Sequence, residues 1–287
     1  MMEAILALLF GLLIGSFLNV CIYRWPRDLS VVKPRSHCVA CERTIAWYDN
    51  IPLVSFVVLG GRCRHCRARI SFRYPLVELA TGLLFFYWFY TAGHSAAAVK
   101  ASVLKPVVEG LTTAAAVKMS VLSALLVGLT FSDLEERILP DEMTLGGLLA
   151  GLVFAYFVPM ERFLEPIISM VAGIRMSLKV DSLAEAALGA GLPAFFLWGG
   201  GWLYEKVRHR EGLGFGDVKL IAMVGAFLGL RGALLTLILG SLAGSVVGYT
   251  YIKLTHKDVS TYELPFGTFL GLAAIVTTLV GDKLMGW

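Results

Sequence analysis

The sequence predicts an all-α polytopic membrane protein, a bundle of about eight transmembrane helices with a cytoplasmic four-cysteine loop. Three observations predict it. Of 287 residues, 57% are hydrophobic and only 16% are charged, against about 25% charged in soluble domains. Eight stretches meet or approach the length and apolarity needed to cross a core of roughly 30 Å at about 1.5 Å per residue. Four of the five cysteines fall in one loop as two C-x-x-C pairs. There are too few charges to coat a soluble enzyme, and the composition also excludes a disordered chain, a disulfide-rich secreted domain and an ordinary nucleic-acid binder.

The spans are expected at 3–22, 75–92, 114–132, 143–160, 183–204, 217–230, 233–252 and 265–281, the sixth short enough to be tilted or partly buried. None alternates as an outer-membrane barrel strand does. Gly147/Gly151, Gly225/Gly229, Gly240/Gly244/Gly248 and Gly267/Gly271 have the four-residue spacing that lets helix backbones approach. The first span lacks the basic start of a cleavable signal peptide. It ends on Tyr23-Arg24-Trp25-Pro26-Arg27, an aromatic-basic border suited to a cytoplasmic face. An outside amino terminus then puts most basic residues inside: ten in 24–73, Arg137, four in 205–219 and two in 253–264. The outer side receives three in 93–118, three in 159–182, Arg231 and Lys283. The expected organisation is a first helix at 1–22, a cytoplasmic four-cysteine domain at 23–74 and a membrane bundle at 75–287.

In that cytoplasmic loop, Cys38-Val-Ala-Cys41 and Cys63-Arg-His-Cys66 stand 21 residues apart. Two such knuckles can set four thiolates tetrahedrally around one structural Zn²⁺, whereas disulfides are rare in a reducing compartment. Arg35, Arg43, Arg62, Arg64 and Arg67 are expected to favour the thiolates. His37 and His65 read as neighbours of a site that four sulfurs already close, and Cys21 as a small apolar packing residue. One metal as its core would let this loop fold as a small domain.

Ionisable groups near membrane depth are costly, so each carries a functional hypothesis. Asp133 ends the third span, in Phe131-Ser132-Asp133, and Asp217 opens the sixth, in Gly214-Phe215-Gly216-Asp217. Both fall on the cytoplasmic face in the expected topology. Two carboxylates brought together there could share one proton, one activating water while the other stays protonated, which is the chemistry of aspartic peptide hydrolysis. The rival reading is that both only solvate helix ends, where Asp217 near a helix amino terminus is electrostatically comfortable. Gly214 and Gly216 would allow sharp turns and the close approach of an extended peptide. Glu135, Glu136, Asp141 and Glu142 read as solvated loop charges. Glu78, inside the second span, is expected to pair with a buried basic group or contact substrate. H-E-x-x-H, G-x-S-x-G and Walker A patterns are missing, so any hydrolysis rests on aspartate.

At this point the chain resembles the bacterial prepilin peptidases, the type IV leader peptidases, almost end to end. The resemblance is carried by Gly15-Ser-Phe-Leu-Asn19, the cysteine loop with Trp47-Tyr-Asp-Asn-Ile-Pro52, and Ile70-Ser-Phe-Arg-Tyr-Pro75-Leu-Val-Glu78. Asp133 with Leu139-Pro140-Asp141, Gly214-Phe-Gly216-Asp217-Val-Lys219 and Leu264-Pro265-Phe266-Gly267 complete it. It implies an aspartic peptidase of the bacterial inner membrane with Asp133 and Asp217 as its dyad, and Gly214, Gly216, Pro265 and Gly267 at the substrate approach. Prepilins or pseudopilins would lose their basic leader at the cytoplasmic face, the pilin helix docking between bundle helices. The new terminal amine would then be methylated with S-adenosylmethionine, whose binding residues the sequence does not name. Thr268 stands where the family commonly has Pro, a departure expected to have little effect. The rivals are a presenilin-like G-x-G-D protease, disfavoured by Ser132 before Asp133, and a non-enzymatic assembly or transport protein with a zinc-bound recruiting loop. Segments 93–118 and 159–182 fall outside the resemblance.

Overall fold

The computed structural model describes residues 1–98, 105–160, 170, 177–209, 213–254 and 264–285. Eight helices occupy the described residues: α1 Met2–Arg24, α2 Val54–Val58, α3 Arg73–Ala98, α4 Lys105–Glu136, α5 Asp141–Phe157, α6 Leu178–Arg208, α7 Phe215–Leu254 and α8 Phe266–Met285. Two isolated bridges, His37 with Thr44 and Arg62 with Arg69, are the β pairing among them. The described residues thus form an all-helical fold, as the apolar spans predict. Five stretches are long and apolar enough to cross a membrane: Met2–Arg27, Arg73–Ser95, Val108–Glu136, Leu178–Arg208 and Phe215–Tyr251, with Phe266–Gly281 a shorter apolar helix. The chain divides into two compact units, Met1–Phe131 and Ser132–Trp287.

In the first unit α1 lies along α3. Their contact depends on residues without side-chain bulk. A Cβ on Gly11 would fall 2.9 Å from Gly82 Cα, and one on Gly15 would fall 2.6 Å from Glu78 Cα. Asn19, buried at this seam, donates to the Tyr74 carbonyl at 3.0 Å. Among the described residues Glu78 has no basic partner. Its Oε2 accepts the backbone N–H of Leu53 at 2.8 Å, fastening the cytoplasmic loop to the helix pair. Arg24 is buried and donates to the carbonyls of Ser30 and Pro34, both at 2.8 Å, so the residue that marks the membrane border also closes the 29–34 turn.

In the second unit α7 is central, packing on α5, α6 and α8. A straight helix of its 40 residues would be about 60 Å long, twice the hydrocarbon core. Gly229 breaks it, at φ 71 and ψ −173, near the end of the expected span 217–230 and ahead of the span 233–252. A positive φ of this kind is accessible to glycine without steric cost. Gly225 of α7 and Gly189 of α6 pack backbone to backbone, so a Cβ on either would collide with the other's main chain. Gly151 meets Ala226, and Gly240 meets Leu270.

Two sequence expectations change here, and others fall outside the described residues. Lys118 does not lie in an outer loop but is buried within α4. Asp181 lies in α6, which starts five residues before the expected span, and is buried with Glu185 on the same helix. Most of 159–182 and of 253–264 lies outside the described residues.

The α6–α7 contact gives a direct test. Gly225→Ala should destabilise the purified chain by about 1–3 kcal/mol through overpacking. Gly191→Ala, where nothing lies within 4 Å of the added Cβ, should be neutral or stabilising by up to about 1 kcal/mol. Thermal midpoints in detergent measure both, and equal shifts would refute the close contact.

Candidate active site and metal centre

The second unit gathers three helix ends around Asp133. Helix α4 stops where Arg137 takes a left-handed conformation, φ 56, its N–H donating to the Asp133 carbonyl at 2.9 Å. Ser132 Oγ donates to the Ile138 carbonyl at 2.8 Å, which turns the chain back beside the helix. The Pro140 carbonyl then accepts the N–H groups of Met143 and Thr144 and starts α5. Leu139, in this short turn, becomes a packing post. A Cβ on Gly216 would lie 3.1 Å from Leu139 Cβ, and one on Gly267 would lie 3.0 Å from both Leu139 Cδ1 and Asp133 Cγ. The first turns of α7 and α8 therefore close onto the end of α4.

Asp133 is 6% exposed and Asp217 is 8% exposed, and the two carboxylates act on one another electrostatically. Asp133 Oδ2 accepts two hydrogen bonds from Thr268, one from its backbone N–H at 2.5 Å and one from Oγ1 at 2.8 Å. Arg137, one helical turn on, also acts on Asp133. The Asp217 backbone N–H donates to the Gly214 carbonyl at 3.1 Å. No side-chain hydrogen bond ties the Asp217 carboxylate to another described residue. Lys219 Nζ pairs with Asp141 Oδ1 at 2.5 Å, joining the starts of α7 and α5. Asp141 is therefore engaged rather than merely solvated, although an exposed pair of this kind contributes only about 0–1 kcal/mol.

The structure gives two of the glycines a packing role. Gly216 and Gly267 use their missing side chains to admit Leu139 and Asp133. Gly214 is exposed, and a Cβ there would make only ordinary contact with Asp217, 3.5 Å from Oδ2. Pro265 is half-buried just ahead of α8. Thr268 is the Asp133 partner that sequence reasoning did not foresee. A proline in its place would have no N–H and no hydroxyl, so neither bond to Asp133 could form. The only signal in the sequence was the departure itself.

In the first unit the sulfurs of Cys38, Cys41, Cys63 and Cys66 all lie within 4.8 Å of one another, and none is in a disulfide. Cys38 Sγ and Cys66 Sγ are 3.8 Å apart, close to the roughly 3.8 Å edge of a tetrahedron with metal–sulfur bonds of about 2.3 Å. The two knuckles repeat one another at a displacement of 25 positions. The bridge His37–Thr44 corresponds to Arg62–Arg69, Cys38/Cys41 to Cys63/Cys66, and Glu42 to Arg67. Glu42 and Arg67 share a left-handed conformation, φ 56 and 60. The N–H of each first cysteine is held alike, to Arg43 O at 3.0 Å and to Ala68 O at 2.9 Å.

Backbone donors, more than the arginines, set the thiol chemistry. The N–H groups of Cys66 and His65 bring the Cys63 thiol down to about 6. At Cys66 the Ala68 N–H pulls the other way, but desolvation and the sulfurs of Cys41, Cys63 and Cys38 leave it at about 11. Four clustered sulfurs resist becoming four anions without a cation between them, which is the donor set a soft divalent metal fits. Arg64 is turned to Asp49 in a two-point pair at 2.7 and 2.6 Å. That guanidinium holds the Asp49 carboxyl below its ordinary value. His37 Nδ1 faces the Arg35 carbonyl and His65 Nδ1 faces Arg43, so neither ring joins the cluster.

Comparison with known proteins gives the family of the chain. Residues 9–92 match the model of the Bacterial Peptidase A24 N-terminal domain, and residues 120–249 match that of the Type IV leader peptidase family. Proteins named prepilin leader peptidase/N-methyltransferase align along most of the chain. The one from Aeromonas hydrophila is 35% identical over 98% of this chain and 92% of its own length. That from Pseudomonas putida is 33% identical over 97% and 91%. The Myxococcus xanthus relative is 40% identical over 88% of this chain, which spans 64% of that protein's length. The chain belongs to the type IV leader peptidase family. No solved structure matches it.

Membership in this family removes the presenilin-like and recruiting-protein readings. The first match contains the whole cysteine loop and the second contains Asp133 and Asp217, while Thr268 lies beyond its end. The metal centre is directly testable. The purified chain should carry one metal per molecule by elemental analysis, and Cys38→Ser with Cys63→Ser should abolish it. Unchanged metal content in that double variant would exclude the cluster.

Proposed function

We propose that the chain is an inner-membrane aspartic endopeptidase that removes the leader of prepilins or pseudopilins at the cytoplasmic face and then N-methylates the new terminus. The observation that carries the first half is the meeting of Asp133 and Asp217, two buried carboxylates on separate helix ends. Burial makes two neighbouring negative charges unfavourable, so the pair holds one proton between them and titrates as a unit. The ionised member accepts a proton from water as its oxygen attacks the scissile carbonyl carbon. The protonated member gives its proton to the carbonyl oxygen. As the C–N bond breaks, the first returns a proton to the leaving amine and the second recovers one from the hydroxyl. No metal and no covalent enzyme intermediate enters this sequence.

The exposed Gly214, beside Asp217, is the position at which a substrate strand has room to approach. The names of the relatives support prepilins as the substrates. The proposed division of labour gives residues 23–74 to the methyl transfer and 75–287 to the peptidase bundle, with loop and dyad both facing the cytoplasm. Zn²⁺ is the metal proposed for the four cysteines, in a structural role, because a site closed by four sulfurs has no open position for substrate.

The methyl donor proposed for the second half is S-adenosylmethionine, which supplies an electrophilic methyl on a sulfonium. A cavity of about 400 Å³ lies between α1 and the cytoplasmic loop, a size within the range of small-molecule sites. Its lining combines Phe17 and Trp47 with Arg35, Ser36 and Asn50. Aromatic faces suit an adenine ring and a sulfonium cation, the guanidinium suits a carboxylate, and the amide suits the adenine edge.

Two experiments test these halves. A leader-bearing prepilin incubated with the purified chain should lose its leader and gain the mass of one methylene. Asp133→Asn and Asp217→Asn, each folded, should slow cleavage by at least about 100-fold. Wild-type cleavage rates in both would refute the dyad. Trp47→Ala and Arg35→Ala should weaken S-adenosylmethionine binding by about tenfold or more each, measured by calorimetry, and leave cleavage intact. Unchanged affinity in both would remove the cavity as the donor site.

A further inference from the structure

We infer that Asp133 is the ionised member of the pair, the group that takes the proton from water, and that Thr268 is the positioning residue that keeps it ionised. This rests on the dyad reading above and assigns its two roles. Asp133 Oδ2 receives both the N–H and the hydroxyl of Thr268, and all three groups are buried. Two donors occupy the lone pairs of that oxygen, so a proton on Asp133 would have to sit on Oδ1 instead. Hydrogen bonds donated to a carboxylate favour its charged form. The backbone donor belongs to the first turn of α8, where N–H groups have no partner within the helix. The peptide dipoles of that helix also favour a negative charge at its start.

Asp217 is placed otherwise. Its carboxylate has no hydrogen bond to another described side chain or N–H, and the charge that acts on it is Asp133. Among the described residues the charged groups that act with Asp133 are Asp217 from α7 and Arg137, the residue that follows α4. Helix α8 offers Thr268, a neutral donor, and α5 begins with Asp141, already paired to Lys219. Between two carboxylates that hold one proton, the proton goes to the one without donors. Asp217 is then the acid that protonates the scissile carbonyl oxygen, and Asp133 is the base.

The assignment makes Thr268 different from a residue that only packs. Thr268→Val keeps the shape and the N–H and removes the hydroxyl. Thr268→Ser keeps both donors. The experiment is the pH profile of kcat/KM for prepilin cleavage in the wild type, both variants, Thr268→Ala and the two Asp→Asn variants. Loss of a donor lets Asp133 bind its proton more readily, so the base form is lost at a higher pH. The acid limb of Thr268→Val and of Thr268→Ala should therefore move upward in pH. Their kcat should fall about 10- to 100-fold, with KM changed much less. Thr268→Ser should restore the wild-type limb and rate. An acid limb unmoved in Val and Ala, or a Ser variant no better than Val, overturns the inference. So does a basic limb that moves downward while the acid limb stays. If Asp133→Asn and Asp217→Asn cleave at the wild-type rate, the dyad reading itself has failed. If both are dead and the Thr268 profiles do not move, only the assignment of roles has failed.

Discussion

A carboxylate buried at the end of a membrane helix must be given hydrogen-bond donors or stay protonated, and the second unit is arranged around that requirement at Asp133. Its helix ends in a left-handed residue, Arg137, which turns the chain and presents Leu139. Gly216 and Gly267 let the starts of α7 and α8 settle on Leu139, and only then do the N–H and hydroxyl of Thr268 reach Asp133. The donors, the turn and the glycines are one construction. Each would be an unremarkable local feature if the others were absent.

The first unit solves a different problem, the folding of a polar segment too short for an apolar core. The two knuckles are copies of one turn, each with a left-handed residue after its second cysteine and an antiparallel bridge across its base. In the second knuckle the backbone N–H groups of Cys66 and His65 point at the Cys63 sulfur and lower the cost of its thiolate. The fastening to the membrane helices is made without an ion pair, by the Leu53 N–H on Glu78 and by Arg24 on two carbonyls. Buried charged groups are here satisfied by main-chain atoms, which hold a loop at a fixed height on a helix pair without needing a second buried charge.

What the sequence by itself determined is additive or strictly local. Membrane helices are legible because hydropathy sums over some twenty residues, and the all-helical fold follows since lipid leaves few other ways to satisfy a backbone. The cysteine pairs are legible because ligand spacing is a property of one turn, and Asp133 and Asp217 stand out because carboxylates are rare beside apolar spans. Tertiary structure alone decided which neighbours those residues have. Thr268 is 135 positions from Asp133, and half of its contribution is a backbone N–H that any residue except proline would offer. Leu53 serves Glu78 in the same way across 25 positions. Residue identity does not encode the direction of a main-chain donor, and helix packing does.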